Sequence, residues 1–223
     1  MAWLKRLATP KWWPIKRKVN KFVAVPRGPY SECLPLVVII RDVFGVADNG
    51  REAKKVIKAG DVLIDGVKRK DPNFGVGKMS LIEIPKLNKS WRVVSRKGFT
   101  FVETTGDDSK LKVCKILDKT ILKGAKIQLN LDGGRNLITT ENYSTGDSLV
   151  LKMPEQQVVD VIKMDKGSLA LVSKGKKAGK FAVIDEIDNK NRRAWLKEGE
   201  KRFEVPLNAL LAIGKDKPLV KLE

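Results

Sequence analysis

The first clear pattern of apolar positions runs from residue 34 to residue 45. Its Val and Ile residues favour a strand on propensity alone, but Pro35 suits the first turn of a helix and Gly45 suits a helix end. The apolar side chains also recur at helical spacing, so we expect a helix here. They are Leu36, Ile39, Ile40, Val43 and Phe44.

A second helix is predicted within residues 48–60, where a narrower apolar stripe recurs every three or four residues. Either Asp48 or Asn49 can accept hydrogen bonds from the first helical amides, and Gly60 can end the helix. The stripe consists of Ala53, Val56 and Ile57.

After residue 60 the pattern changes to alternation, which is typical of strands. Residues 62–70 form a predicted hairpin with an Asp-Gly turn at 65–66, and residues 77–85 supply another strand. Residues 92–165 alternate along most of their length, which predicts an all-β domain. Residues 166–214 then show a strand, a Gly/Lys loop and further strands, and we expect residues 215–223 to be a tail.

The first 37 residues follow neither period. Pro10 and Pro14 oppose a continuous helix and favour extended chain, so we expect an extended N-terminal arm. Three of the five tryptophans lie among basic residues there. Basic residues interleaved with aromatic ones are typical of an arm that binds nucleic acid, because cations meet phosphates and indoles stack on bases. Two alternatives stay open for Trp12 and Trp13, since they can stack on RNA or pack against protein.

Charge strengthens the nucleic-acid interpretation. The 223 residues carry 45 Lys and Arg against 26 Asp and Glu, which gives a net charge of +19 and a pI near 9.9. The excess lies at both ends of the chain, and residues 1–31 contain eight basic residues and no acidic one. A chain with this excess binds polyanions unless something prevents it.

Composition excludes several classes of chemistry. The sequence has no His, so imidazole catalysis, a Ser/His/Asp triad and His-ligated metals are excluded. Cys33 and Cys114 are too few for a zinc cluster, and we expect two reduced thiols, although a disulfide between them stays open. The longest uncharged stretch, residues 205–214, is too short to span a membrane. We therefore expect no cofactor, no metal, no small-molecule substrate and no membrane partner.

The order of helix, Arg-Glu-Ala helix, Gly and Val-x-Ile-Asp-Gly hairpin resembles the αL-type RNA-binding module. Ribosomal proteins, pseudouridine synthases and tyrosyl-tRNA synthetases share this module. The resemblance covers residues 41–88 and implies that its short helices present basic residues to folded RNA. The candidates are Arg41, Arg51, Lys54 and Lys55.

The run LKVCKILDKTILKGAKIQLNLDGGRN, residues 111–136, resembles the archaeal and eukaryotic type of small-subunit ribosomal protein four. Ala125 stands where that family has Gly, and an Asp-Gly pair at 132–133 stands for its His-Asp pair. The family's N-terminal Leu-Lys-Arg-Leu, Pro-Lys and Trp-Pro steps also recur in residues 4–14, with Trp3 in place of its usual His.

The segment from Gly167 to Ile187 is similar to the KOW motif, in which a small barrel binds RNA or protein. Gly175 and Gly179 permit backbone conformations that other residues avoid, and they permit close approach to another backbone. Four lysines make the loop between the strands a cationic tip. They are Lys174, Lys176, Lys177 and Lys180.

Together these patterns predict a multi-domain α+β protein that is mainly β. We expect a basic arm (1–37), an αL module (41–88), a central β domain (92–165), a KOW-type barrel (166–214) and a tail (215–223). The resemblance implies a non-catalytic, ribosome-bound cytoplasmic protein that binds and orders small-subunit rRNA beside neighbouring small-subunit proteins. The alternative is a KOW-bearing RNA-binding factor that acts transiently on ribosomes or the transcription machinery. The candidate RNA-binding residues are Lys5, Arg6, Lys11, Trp12, Trp13, Lys16, Arg17, Lys18, Arg27, Arg41, Arg51, Lys54, Lys55, Lys174, Lys176, Lys177 and Lys180.

Overall fold

A computed structural model describes residues 3–96, 98–124, 126–199, 201–215 and 217–222, without the side chain of Trp3. The chain divides into two compact units. The first comprises Met1–Val94 with Gly98–Ser109, and the second comprises Ser95–Lys97 with Lys110–Glu223. Strands dominate both units, which agrees with the predicted mainly-β class.

The first unit contains two helical segments and nine short strands. In chain order these are β1 (Trp3–Lys5), β2 (Phe22–Ala24), β3 (Leu34–Pro35), α1 (Leu36–Val38), a π-helix (Ile39–Val43), α2 (Gly50–Ala59), β4 (Leu63–Ile64), β5 (Val67–Lys68), β6 (Gly75–Val76), β7 (Leu81–Ile84), β8 (Lys89–Ser95) and β9 (Phe99–Thr104). Short 3₁₀ turns lie at Arg6–Ala8, Pro85–Leu87 and Gly106–Lys110.

Both predicted helices are confirmed. The first begins after Pro35 as α1 and continues as the π-helix. The second, α2, begins after Asn49, whose side chain accepts hydrogen bonds from Arg51 N at 2.9 Å and Glu52 N at 3.0 Å. Gly60 ends α2 in the left-handed conformation, at a φ of 83°. Local sequence signals therefore determine both ends of α2.

The predicted hairpin is also confirmed, with Asp65 and Gly66 at positive φ between β4 and β5. The carboxylate of Asp65 accepts a hydrogen bond from Leu81 N at 2.9 Å, which ties the turn to β7. The sheet has the order β5-β4-β7-β8-β9. It therefore continues past residue 88, so β8 and β9 complete this unit instead of opening the central β domain that the alternation suggested from residue 92.

The N-terminal residues pack onto this unit. Strand β1 pairs with β2 in antiparallel register, and Trp13 lies in the core at 4% exposure. The Trp13 indole Nε1 donates a hydrogen bond to the Tyr30 carbonyl at 3.3 Å. The expectation of an extended arm is corrected here, because burying the indole and pairing the strand fold residues 3–24 back onto the module.

The second unit consists of ten strands in two five-stranded antiparallel sheets. The first sheet contains β10 (Leu111–Ile121), β11 (Ile127–Leu131), β12 (Arg135–Thr139), β13 (Ser148–Lys152) and β14 (Gln157–Ile162). The second contains β15 (Leu169–Val172), β16 (Phe181–Asp188), β17 (Arg193–Glu198), β18 (Lys201–Pro206) and β19 (Leu210–Gly214), with a 3₁₀ turn at Leu207–Ala209.

Strand β10 connects the two halves of the first sheet. Its N-terminal half pairs with β13 and its C-terminal half pairs with β11, with a register shift between Ile116 and Asp118. Lys115 lies at this point with 8% exposure, and its amine donates to the carbonyls of Leu207 at 2.6 Å and Leu210 at 2.8 Å. One buried lysine thus joins the first sheet to the turn before β19.

The C-terminal residues are packed, in contrast to the expected tail. Val220 and Leu222 are each 2% exposed, and Leu219 N donates to the Ile213 carbonyl at 3.0 Å. The Leu222 carbonyl accepts from Arg96 Nη2 at 3.3 Å. Val220 and Leu222 flank the exposed Lys221, so this segment turns apolar side chains toward the second unit and its charge toward solvent, which explains the result.

Candidate nucleic-acid interface

Helix α2 carries a row of four cations on its exposed side. Its apolar side is buried, with Ala53 and Ile57 fully covered, so the helix cannot rotate without exposing core surface. The opposite side is exposed and basic. It carries Arg51, Lys54, Lys55 and Lys58.

Arg41 lies on the preceding π-helix and is half-buried. Its Nε and Nη2 donate to the two carboxylate oxygens of Asp42 at 3.0 and 2.7 Å. These hydrogen bonds raise the pKa of Arg41 above its ordinary value, although burial opposes the shift. The pair fixes the orientation of the guanidinium, and its third nitrogen, Nη1, takes no part in that pair.

The N-terminal candidates divide into exposed and buried groups. Arg27 keeps 78% of its side chain exposed while it pairs with Asp71 at 2.7 Å. The exposed lysines are Lys5, Lys11, Lys16 and Lys18. These five side chains are available to a polyanion.

Two candidates, Arg6 and Trp13, are buried and so do not belong to the exposed basic surface. Arg6 is 6% exposed, and its Nη1 donates to the Lys16 carbonyl at 2.6 Å. Trp13 lies in the core, which settles its alternative in favour of packing against protein. Trp12 is partly covered by Phe99, with ring centroids 4.4 Å apart. Half-buried Arg17 donates to the Thr9 carbonyl.

Arg6 and Arg41 line one cleft of the first unit, with a volume of about 420 Å³. Lys54 joins them from α2, and Asn20 and Asn73 contribute amides. The remaining lining residues are Phe22, Val23, Ala24, Val37 and Gly50. The described lining therefore contains three cations and no carboxylate.

The four lysines of the predicted KOW-type loop are exposed, but their surroundings differ. Lys180 pairs with Glu198, and Lys177 Nζ lies 4.2 Å from the centroid of the Phe203 ring. Lys174 lies near the amine of Lys115 and contributes to lowering its pKa. Lys180 is therefore partly neutralised, whereas Lys176 is exposed and forms no ion pair among those that the structure describes.

Gly179 in this loop has a structural task. A Cβ at Gly179 would lie 2.5 Å from Arg96 Cα, and the residue adopts a φ of 87°. The close approach that the sequence suggested is thus made to the protein's own backbone.

Sequence reasoning missed Lys58, Asn20 and Asn73. Lys58 follows Lys54 by one helical turn, so the helical period could have found it. The two asparagines lie 53 positions apart in the sequence, and only the folded first unit brings both to the cleft.

Within the described residues, no helix is long and apolar enough to cross a membrane. The same residues contain no cluster of three or more Cys, Asp or Glu side chains placed to hold a metal ion. Cys33 and Cys114 are free of disulfides.

Comparison with known proteins agrees with these features. The profile of the S4 domain matches residues 36–82, which contain both helices and the β4–β5 hairpin, and that of Ribosomal family S4e matches residues 77–158. A crystal structure of the 30S ribosomal protein S4e from Thermoplasma acidophilum superposes with a TM-score of 0.72 at 29% identity, and covers 83% of this chain and 96% of that chain.

Two relatives extend the similarity to nearly the full length. The small ribosomal subunit protein eS4 of Methanosphaera stadtmanae is 42% identical over 228 residues, which covers 98% of this chain and 95% of that protein. The eS4 protein of Archaeoglobus fulgidus is 39% identical over 227 residues, with coverage of 98% and 97%. Since the similarity includes the S4 domain and both units of the fold, this chain belongs to the S4e family of ribosomal proteins.

Proposed function

We propose that this chain is a structural, non-catalytic constituent of the small ribosomal subunit that binds and orders rRNA. The observation that carries the proposal is the exposed basic side of α2 on a helix whose other side is anchored in the core. The full-length similarity to proteins named small ribosomal subunit protein eS4 supports it.

The mechanism is neutralisation of phosphate charge by cations held on rigid elements. Lysines and arginines that contact phosphates release condensed counterions, which supplies affinity. A cation on an anchored helix loses less conformational freedom on binding than one on a flexible segment, because less remains to be ordered. The packed N-terminal residues serve in the same way, since β1 and Trp13 hold their lysines on the first unit.

The loop at 174–180 supplies a second contact from the other unit. Its four lysines lie between β15 and β16, and all of them are exposed. We infer a KOW-type role for this loop in contacting rRNA or a neighbouring small-subunit protein of the cytoplasmic ribosome.

Co-sedimentation with small subunits tests the proposal. A structural constituent remains on the subunit at one copy per particle through a high-salt wash, and protects a defined segment of small-subunit rRNA from chemical probing. Loss to the supernatant would instead favour a transient RNA-binding factor.

A matched pair of variants locates the interface. The double variant Lys54→Gln with Lys55→Gln removes two cations from the exposed side of α2, whereas Lys152→Gln with Lys190→Gln removes two exposed cations from the second unit. We expect the first pair to weaken rRNA binding more strongly. Equal effects would mean that net charge alone determines binding, and would contradict the assignment of α2.

A further inference from the structure

We propose that the cleft lined by Arg6, Arg41 and Lys54 is a binding site for one phosphate group of the RNA backbone. The inference rests on the proposed function, because the phosphodiester belongs to the rRNA that the chain binds. The proposed function requires only a basic surface. The present proposal names one cleft on that surface, a phosphate group as its ligand, and Asn20 and Asn73 as further contacts.

Arg6 is buried and lacks a counter-ion. It is only 6% exposed, and no carboxylate among the described residues forms an ion pair with it. Its Nη1 is held by the Lys16 carbonyl, while no described group accepts a hydrogen bond from its buried Nε. A buried guanidinium that lacks a counter-ion is costly unless an anion from outside neutralises it.

The side chains that line the cleft carry positive charges only. Arg6, Arg41 and Lys54 meet at a cleft whose described lining contains no Asp or Glu. Two of the three are guanidinium groups, whose planar donors match the geometry of phosphate oxygens. The amides of Asn20 and Asn73 can donate further hydrogen bonds without adding charge.

Gly50 leaves one side of Arg41 uncovered. It lines the cleft next to Arg41, and a Cβ at Gly50 would lie in van der Waals contact with Arg41 Nη1, at 3.4 Å. Since Asp42 occupies Nε and Nη2 of the same guanidinium, Nη1 is the nitrogen left to meet a ligand. A volume of about 420 Å³ admits a phosphate with its adjoining sugar.

The most direct test adds a negative charge to the cleft. Asn20→Asp introduces a carboxylate into the lining, and Asn136→Asp makes the same change of charge at an exposed position of β12 in the other unit. With small-subunit rRNA as the probe, we expect Asn20→Asp to lower affinity about tenfold and to reduce the slope of log K against log salt by about 1. Asn136→Asp should leave both quantities close to those of the unmodified chain.

A second pair avoids any change in the buried part of the cleft. Lys54→Gln removes a lining cation, and Lys58→Gln removes an exposed cation one turn further along α2. The site predicts that Lys54→Gln reduces the salt slope by about 1 and that Lys58→Gln reduces it less. Equal reductions, or equal effects of the two Asp variants, would overturn the cleft while leaving general RNA binding intact.

Inorganic phosphate tests whether the cleft binds a phosphate group of RNA or a free phosphate ion. Millimolar phosphate should shift the side-chain NMR signal of Arg6 in the unmodified chain but leave it unchanged in Asn20→Asp. If phosphate shifts this signal and rRNA does not, the cleft takes a free anion and the RNA assignment is wrong. If the unmodified chain fails to bind rRNA at all, the proposed function itself fails, which is a different result from failure of the cleft.

Discussion

Lys115 places an amine in the interior of the second unit. The pKa of this amine is lowered from 10.5 to about 8: burial is the main cause, Asp132 opposes the shift, and the nearby amine of Lys174 adds to it. Both of its described hydrogen bonds go to backbone carbonyls, and a neutral amine retains two hydrogens to donate to them. The bonds between the first sheet and the β19 turn therefore survive loss of the proton.

The sign of the resulting pH dependence follows from where the proton is held. Between pH 8 and 10.5 the unfolded chain keeps the proton on Lys115 and the folded chain has lost it, so this residue makes stability rise with pH in that window. We expect a gain of about 3 kcal/mol at most in the free energy of unfolding. Hydrogen exchange of amides in β10 and β19, measured below pH 8 and near pH 10.5, reports it.

The comparison requires a variant that lacks the buried amine, so that the contribution of Lys115 is separated from that of every other group in the chain. Lys115→Met should show a smaller rise with pH than the unmodified chain, and Lys152→Met, at an exposed position of β13, should show the same rise. If Lys115→Met rises as steeply as the unmodified chain, the amine is not the titrating group.

Trp13 illustrates how one residue decides between packing and ligand contact. Because its indole is buried in the core of the first unit, Trp13→Ala should lower the free energy of unfolding by about 3–5 kcal/mol. Trp12 is only partly covered, so Trp12→Ala should lower the free energy of unfolding by less. Denaturant unfolding measures both values. Unchanged stability with weakened RNA binding in Trp13→Ala would contradict the structural role.

At the scale of elements, the loop before β16 depends on two glycines with different surroundings. Both have positive φ, but a Cβ at Gly175 would meet nothing within 4 Å, whereas one at Gly179 would overlap the Arg96 backbone. Gly175→Ala should cost about 1–2 kcal/mol from its dihedral angle alone. Gly179→Ala should cost clearly more, because the backbone at Arg96 must also move.

Thermal unfolding of the two variants is a direct check, since both make the same chemical change. We expect the midpoint temperature of unfolding to be lower for Gly179→Ala than for Gly175→Ala. Equal midpoints would mean that Arg96 yields easily and that the close approach has no structural importance.

Elements determined by local signals could be predicted from the sequence. The cap of α2, the Gly60 end and the turn at 65–66 depend on a few neighbouring residues. The structure confirms the end and the turn, and it selects Asn49 from the two predicted cap residues, Asp48 and Asn49. The position of β8 and β9 could not be predicted, because alternation identifies a strand but not the sheet that it joins. Pairing of β7 with β8 is a tertiary outcome of which apolar faces meet.

The candidate site divides in the same way. The resemblance of residues 41–88 to the αL-type module identifies Arg51, Lys54 and Lys55 from the sequence, and the structure places all three on the exposed side of α2. Burial of Arg6 could not, because Lys5 and Arg6 carry the same charge and only the pairing of β1 with β2 distinguishes them. The cleft could not be predicted either, because its lining residues are distant in the sequence and meet only in the folded first unit.

The whole molecule carries a net charge of +19, and its described acidic side chains form ion pairs with only some of the cations. On the second unit, Arg202 pairs with Asp185 and Glu186, and Arg193 pairs with Glu204. On the first unit Asp42 pairs with Arg41, but no described carboxylate forms an ion pair with the four cations on the exposed side of α2. We therefore expect the first unit to contribute more of the RNA affinity than its share of the residues.

The salt dependence of binding to small-subunit rRNA tests the central claim most directly. If about six lysines and arginines contact phosphates, the plot of log K against log salt should have a slope of about −4 or steeper. Lys54→Gln with Lys55→Gln should make the slope shallower by about one unit for each lost contact. A nearly flat plot, or one that these substitutions leave unchanged, would contradict the conclusion that fixed cations on α2 hold the RNA backbone.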